Sequence, residues 1–173
     1  ILNGDTTGNN FILGNVGIGT TNPGSFKLNV AGNINASGYY SNGTDYAEFI
    51  AKLNPKEKIE PSDIVAVTNN KITKNTESAD SLMVVSTNPN VIGGATEDKN
   101  SLPVAFIGQV PVKVRGKVQS GDYILASGAN DGTGIAISKE NITFQQYKQA
   151  IGIAWQSSQE EGIKKVNVAV GIK

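Results

Sequence analysis

Cysteine and histidine are both absent from the 173-residue chain. Their absence removes disulfides, thiol nucleophiles, the usual zinc ligand sets and every Ser-His or Cys-His catalytic arrangement. Excess charge is also lacking: fifteen basic and fifteen acidic side chains cancel, so no electrostatic argument favours nucleic acid or an anionic membrane surface. No apolar run approaches the roughly 18 residues of a membrane span, which argues against membrane insertion. No basic n-region precedes Ile1, and the chain reads as a fragment of something longer. Aromatics are only 6% of the residues, few for an adhesive surface built on stacking. Chemistry, if any, falls to carboxylates and hydroxyls, and no cofactor or metal is expected.

What is present divides at Gly43-Thr44-Asp45-Tyr46-Ala47-Glu48-Phe49. With 38% apolar content, one good core is affordable but hardly two, so a compact domain with an appendage is expected. Residues 1–43 form the Gly/Asn-rich appendage. Their large apolar residues, at Ile1, Leu2, Phe11 to Leu13, Val16, Ile18, Phe26, Leu28, Val30 and Ile34, are too few for a core within one chain. Val16 and Ile18 alternate with Gly, and Leu28 and Val30 flank Asn29, the period-2 pattern of short strands. Thr20-Thr21-Asn22-Pro23-Gly24 is a turn signal. Regular alternation, rather than absence, of aliphatics favours a segment that borrows its core from identical neighbours over a solvated linker. Three chains about one axis would bring Val16, Ile18, Leu28, Val30 and Ile34 against their counterparts.

Residues 44–173 read as β structure, a barrel or a sandwich. Runs rich in β-branched residues at 63–68, 82–86, 104–107, 110–114, 123–126, 135–137, 151–155 and 166–172 are separated by turn signals, among them Asn69-Asn70, Asn88-Pro89-Asn90 and Gly93-Gly94. Thr143 to Ala150 is the one helical candidate, with Thr143 as cap and Phe144, Tyr147 and Ala150 on one side. Lys113, Arg115 and Lys117 could form an anion-binding row, but a solvated basic strand face is the simpler reading. The lone Trp155 is expected in core or interface packing rather than as a sugar platform.

Asp45 and Glu48, three residues apart at the junction, could act as an acid/base pair on a neighbouring peptide bond. The plainer alternative is that Asp45 caps a turn and Glu48 is solvated. Self-cleavage would need a trapped geometry, a proton donor for the departing nitrogen, and either water or the Thr44 hydroxyl as nucleophile.

Asn15-Val16-Gly17-Ile18-Gly19-Thr20-Thr21-Asn22-Pro23, followed by Lys27-Leu28-Asn29-Val30-Ala31-Gly32-Asn33-Ile34, resembles a stalk segment of phage tail fibres and large bacterial surface fibres. The remainder resembles the autoproteolytic intramolecular chaperone domain at the C-terminus of phage neck-appendage and tail-spike proteins and related bacterial fibre tips. The matching residues are Asp45-Tyr46-Ala47-Glu48, Glu60-Pro61-Ser62-Asp63-Ile64-Val65, Val84-Val85-Ser86-Thr87-Asn88-Pro89, Pro103 to Val114, Gly121-Asp122 and Gly152-Ile153-Ala154. This resemblance implies a short trimeric stalk over residues 1–43 and a β-rich tip over 44–173. It also implies a homotrimer at a virion or bacterial cell surface, cut at Thr44-Asp45 by Asp45 and Glu48. Thr44 stands where that family has Ser, and Ser62 where it has Gly. Two other readings compete: an uncleaved adhesive tip whose partner is a host-surface receptor or glycan, and a stand-alone hydrolase, the weakest because no second carboxylate constellation is evident.

Overall fold

The structure, a computed structural model, describes residues 12–77, 79–94 and 98–171. Ile1, Leu2, Phe11 and Ile172, named above, lie outside them. The chain divides into two units, residues 1–40 and 41–173. In the first, the expected alternation yields β1 (Val16–Ile18) and β2 (Leu28–Val30), paired in parallel with Val16 opposite Leu28. The connection turns where the Thr20 hydroxyl accepts from the Asn22 N–H and the Asn22 side chain accepts from the Gly24 N–H. Gly17 has no substitute there, since a Cβ would lie 2.3 Å from the Thr20 carbonyl oxygen. Two three-residue strands cannot cover their own apolar side chains: Ile18, Phe26, Leu28 and Ile34 are each more than half exposed.

Residues 41–173 carry the core. Five strands close a barrel: β8 (Ser101–Arg115), β10 (Gly134–Ile137), β9 (Tyr123–Ala126), β11 (Gly152–Ala154) and β12 (Lys164–Val170), which returns to β8. Val110, Val112 and Val114 alternate inward along β8 opposite Val168, Val166 and Lys164 of β12, and all five valines are fully buried. Each valine removed from water in this way contributes about 2 kcal/mol. From the barrel β8 extends into a second layer, where it pairs with β3 (Asp45–Ala51) and β6 (Ser81–Val85). β6 pairs in turn with β4 (Ile64–Thr68), and β4 with β5 (Lys71–Thr73), through a hairpin whose Asn69 and Asn70 both take positive φ.

Period-2 alternation distributes neighbours between two cores. Val84 pairs with Ala105 and both join the barrel cluster; the next pair, Val85 with Val104, joins a second cluster with Ile50, Ile59, Val65 and Ile72. The sheet of β3, β8 and β6 therefore has a core on each face.

Several expectations are corrected here. The runs at 104–107 and 110–114 are one strand, because Gly108, at φ +125°, passes the ladder from β3 to β12 instead of ending it. Residues 45–51 form a strand rather than a turn. Asn88-Pro89-Asn90 and Gly93-Gly94 do not merely punctuate, since β7 (Pro89–Gly93) pairs in parallel with β3 and begins with the proline. The helix α1 (Phe144–Gln149) has the expected Thr143 cap, closed into a capping box by Gln146. Phe144 and Tyr147, three apart, share a side, but the helix buries none of its residues: Phe144 is exposed, Tyr147 meets Tyr123 edge-on at 5.5 Å, and Ala150, which is buried, is the C-cap beyond the helix. Trp155 follows β11 into solvent and is 53% exposed, not core.

Candidate functional site

Asp45 is the first residue of β3, and the backbone before it is held from two sides. The Thr44 N–H donates to the Asn88 carbonyl at 3.1 Å, and the Thr44 carbonyl accepts from the Gln109 N–H at 3.0 Å. The Thr44 hydroxyl donates to the Gln109 carbonyl at 2.8 Å, taking the place its own N–H would fill in a regular antiparallel pair. Close approach requires the flanking glycines. A Cβ on Gly108 would lie 2.5 Å from the Thr44 carbonyl oxygen and 2.6 Å from the Asp45 Cα, and one on Gly43 would lie 2.3 Å from the Asn90 nitrogen.

The Asp45 side chain is 3% exposed. Its Oδ1 accepts from the Ser86 hydroxyl at 2.9 Å, while its Oδ2 is buried with no hydrogen-bond partner. Burial pushes the carboxyl above the usual carboxylate range, and the Ser86 hydrogen bond offsets part of that rise.

Glu48 does not share this environment. The extra residues in the pairing of β3 lie on its neighbours, Asn90 of β7 and Phe106 of β8, so β3 itself alternates regularly. Three residues along a strand span about 10 Å and end on the opposite face. Asp45 thus lies on the side of Ala47, Ala105 and Val84. Glu48 pairs with Val104 on the other side and packs on Gly93, where a Cβ would come within 2.9 Å of the Glu48 Cγ. One chain does not bring the two carboxylates together. Nor does Asp45 cap a turn.

Sequence reasoning placed Ser86 in a matching segment but gave it no role. A polar residue two beyond Val84, on the face that strand alternation turns toward a core, was the available signal.

The basic row, Lys113 and Arg115 of β8 with Lys117 just beyond it, is ion-paired within the chain; Arg115 and Lys117 stay in solvent as expected, and only Lys113 is largely withdrawn from it. Lys113 pairs with the buried Asp63 at 2.6 Å and with Glu60 at 3.1 Å, Arg115 pairs with Asp131, and Lys117 pairs with Glu161 at 3.3 Å. The hydrogen bonds from Lys113 and Lys58 hold the Glu60 carboxyl below its ordinary range. Among the described residues no group of three or more His, Cys, Asp or Glu is placed to hold a metal ion.

No protein-family model and no curated protein matches the chain. Solved structures do. The C-terminal fragment of bacteriophage phi29 gene product 12 superposes with a TM-score of 0.52 at 18% identity, over 73% of this chain and 99% of the fragment. The pre-mature bacteriophage phi29 gene product 12 superposes with a TM-score of 0.58 at 16% identity, over 84% of this chain but only 27% of that much longer one. At such identities the likeness is one of fold: this chain folds like the C-terminal fragment of a bacteriophage protein.

Proposed function

We propose that the chain is the C-terminal tip of a virion appendage fibre, that it assembles as a homotrimer and promotes the folding of that fibre as an intramolecular chaperone, and that Thr44-Asp45 is its self-cleavage bond. The observation that carries this reading is the shared fold with a phage protein represented by a C-terminal fragment and a pre-mature form. The exposed Ile18, Phe26, Leu28 and Ile34 of residues 1–40 support assembly, because identical neighbours can cover what one chain leaves wet.

In the cleavage step water adds to the Thr44 carbonyl carbon, and the carbonyl electron pair moves onto its oxygen. Collapse breaks the bond to the Asp45 nitrogen. That nitrogen takes a proton from the Asp45 carboxyl, and the proton lost by water passes to a second carboxylate. The products are a Thr44 carboxyl and an Asp45 amine. Because one chain keeps Asp45 and Glu48 on opposite faces, the second carboxylate in this reading is Glu48 of a neighbouring copy.

Native and denaturing mass spectrometry of refolded protein test both parts. A trimer and fragments 1–44 and 45–173 are expected, with the fragments lost in Asp45→Asn and in Glu48→Gln. Co-refolding those two variants should restore cleavage in mixed trimers. A monomer at micromolar concentration removes the assembly reading, and an intact mass after long incubation removes the cleavage reading. The exposed Trp155 favours a second reading, an uncleaved adhesive tip that stacks on a glycan of the host surface. Quenching of its fluorescence by surface oligosaccharides, with no change in mass, would support it.

A further inference from the structure

We infer that the Thr44-Asp45 bond lies in a preformed cradle in which the Gln109 backbone N–H is the donor for the developing oxyanion and Ser86 is a positioning residue for the Asp45 carboxyl. This rests on the self-cleavage reading and gives parts to two groups outside the Asp45 and Glu48 pair. The Gln109 N–H already lies 3.0 Å from the Thr44 carbonyl oxygen, where negative charge accumulates as a nucleophile adds. Gly108 packs directly on the same peptide. Any side chain at that position would collide with the Thr44 oxygen and the Asp45 Cα, so the glycine lets the amide reach its target and excludes solvent from that face.

Ser86 occupies Oδ1 of Asp45, which leaves the unpartnered Oδ2 as the oxygen available for proton transfer. From there a proton reaches the departing nitrogen of the same residue through a six-membered ring. Among the described residues no other titratable group faces this carboxyl from the elements packed against it. β6 and β7 carry none, Lys113 and Arg115 of β8 are paired with Asp63 and Asp131, and Glu48 is on the opposite face.

The test follows cleavage of full-length refolded protein against pH, for the wild type, Ser86→Ala, Ser86→Thr and Gly108→Ala. Gly108→Ala displaces the carbonyl from its donor and should slow cleavage about 100-fold with no shift of the pH profile. Ser86→Ala removes the hydrogen bond that lowers the Asp45 carboxyl, so the limb governed by Asp45 should move to higher pH. Ser86→Thr keeps the hydroxyl and should restore the wild-type limb. A parallel carbon NMR titration of Asp45 should show its midpoint rising in Ser86→Ala even in uncut protein. A cleaving wild type whose profile and Asp45 midpoint are unchanged by Ser86→Ala overturns the role of Ser86 and leaves the cleavage reading standing. Equal rates for Gly108→Ala and wild type overturn the oxyanion donor. A wild type that never cleaves fails the cleavage reading and with it the oxyanion assignment, whereas the titration still decides whether Ser86 sets the Asp45 carboxyl.

Discussion

Ser62 is the residue whose conformation least suits its identity. It follows Pro61 in a turn closed by the Asp63 N–H to the Glu60 carbonyl at 3.1 Å, and its φ of +80° is what position i+2 of a type II turn demands. A side chain there costs on the order of 1 kcal/mol, and the Ser62 hydroxyl is also buried without a partner. Ser62→Gly is therefore expected to stabilise the fold by about 1 kcal/mol, read as a melting temperature about 3 °C higher. Asp45 is strained in another way. Burial holds its carboxyl above the unfolded range, so the folded chain keeps a proton that the unfolded chain has released, and stability falls as pH rises from about 4 through the folded value. Asp45→Asn should flatten that slope in thermal melts recorded across pH, and should gain on the wild type as pH increases. An unchanged slope would mean that Asp45 meets water more freely than its 3% exposure indicates. A group that weakens its own fold at neutral pH fits a chemical role better than a structural one.

Among the elements, β8 is the one shared by barrel, second layer and site. Lys113 fastens it to the Glu60–Asp63 turn, and the Lys113 N–H also reaches the Ser62 carbonyl at 3.0 Å. Burial works against the Lys113 charge, but its contacts with Asp63 and Glu60 outweigh that and hold its pKa above the usual value. Lys113→Met keeps the stem but strands the Asp63 carboxylate, 2% exposed, without its cation; a loss of about 3 kcal/mol is expected in chemical denaturation. The strands legible in the sequence were those dense in β-branched residues, such as the valine alternations of β8 and β12, together with the Thr143 cap and the short strands at Val16 and Leu28. β3 and β7 were not. Asp-Tyr-Ala-Glu-Phe-Ile-Ala mixes charge with apolar residues, and Pro-Asn-Val-Ile-Gly carries turn formers at both ends, so β3 is a strand only because β7 and β8 supply its hydrogen bonds, and β7 only because β3 does. The pairing of Asp45 with Glu48 misled for a related reason. A spacing of three unites side chains on a helix and separates them on a strand, and the strand was the unread element.

For the whole molecule, the division of burial between the two units makes a clear statement. Among the described residues every buried hydrophobic side chain belongs to residues 41–173, while residues 12–40 leave their large aliphatics half exposed or more at Ile12, Leu13, Ile18, Leu28 and Ile34. Residues 41–173 expressed alone should therefore unfold cooperatively, with a melting temperature within a few degrees of the full chain, as followed by circular dichroism. Loss of the cooperative transition would show that the core depends on the first unit.

The hydrogen bonds around Thr44-Asp45 also impose an order in time. Thr44 finds Gln109 across 65 residues of sequence and Asp45 finds Ser86 across 41, and pairings so distant form late because each must first close a long loop. While the chain emerges from the ribosome, Thr44 and Asp45 are made long before β8, and the bond between them is then an ordinary flexible peptide with none of its surroundings in place. The proposed cleavage would have to wait until β6, β7 and β8 have docked. The distance along the chain is thus a delay, one that would protect the nascent protein from the proposed cut before it has folded.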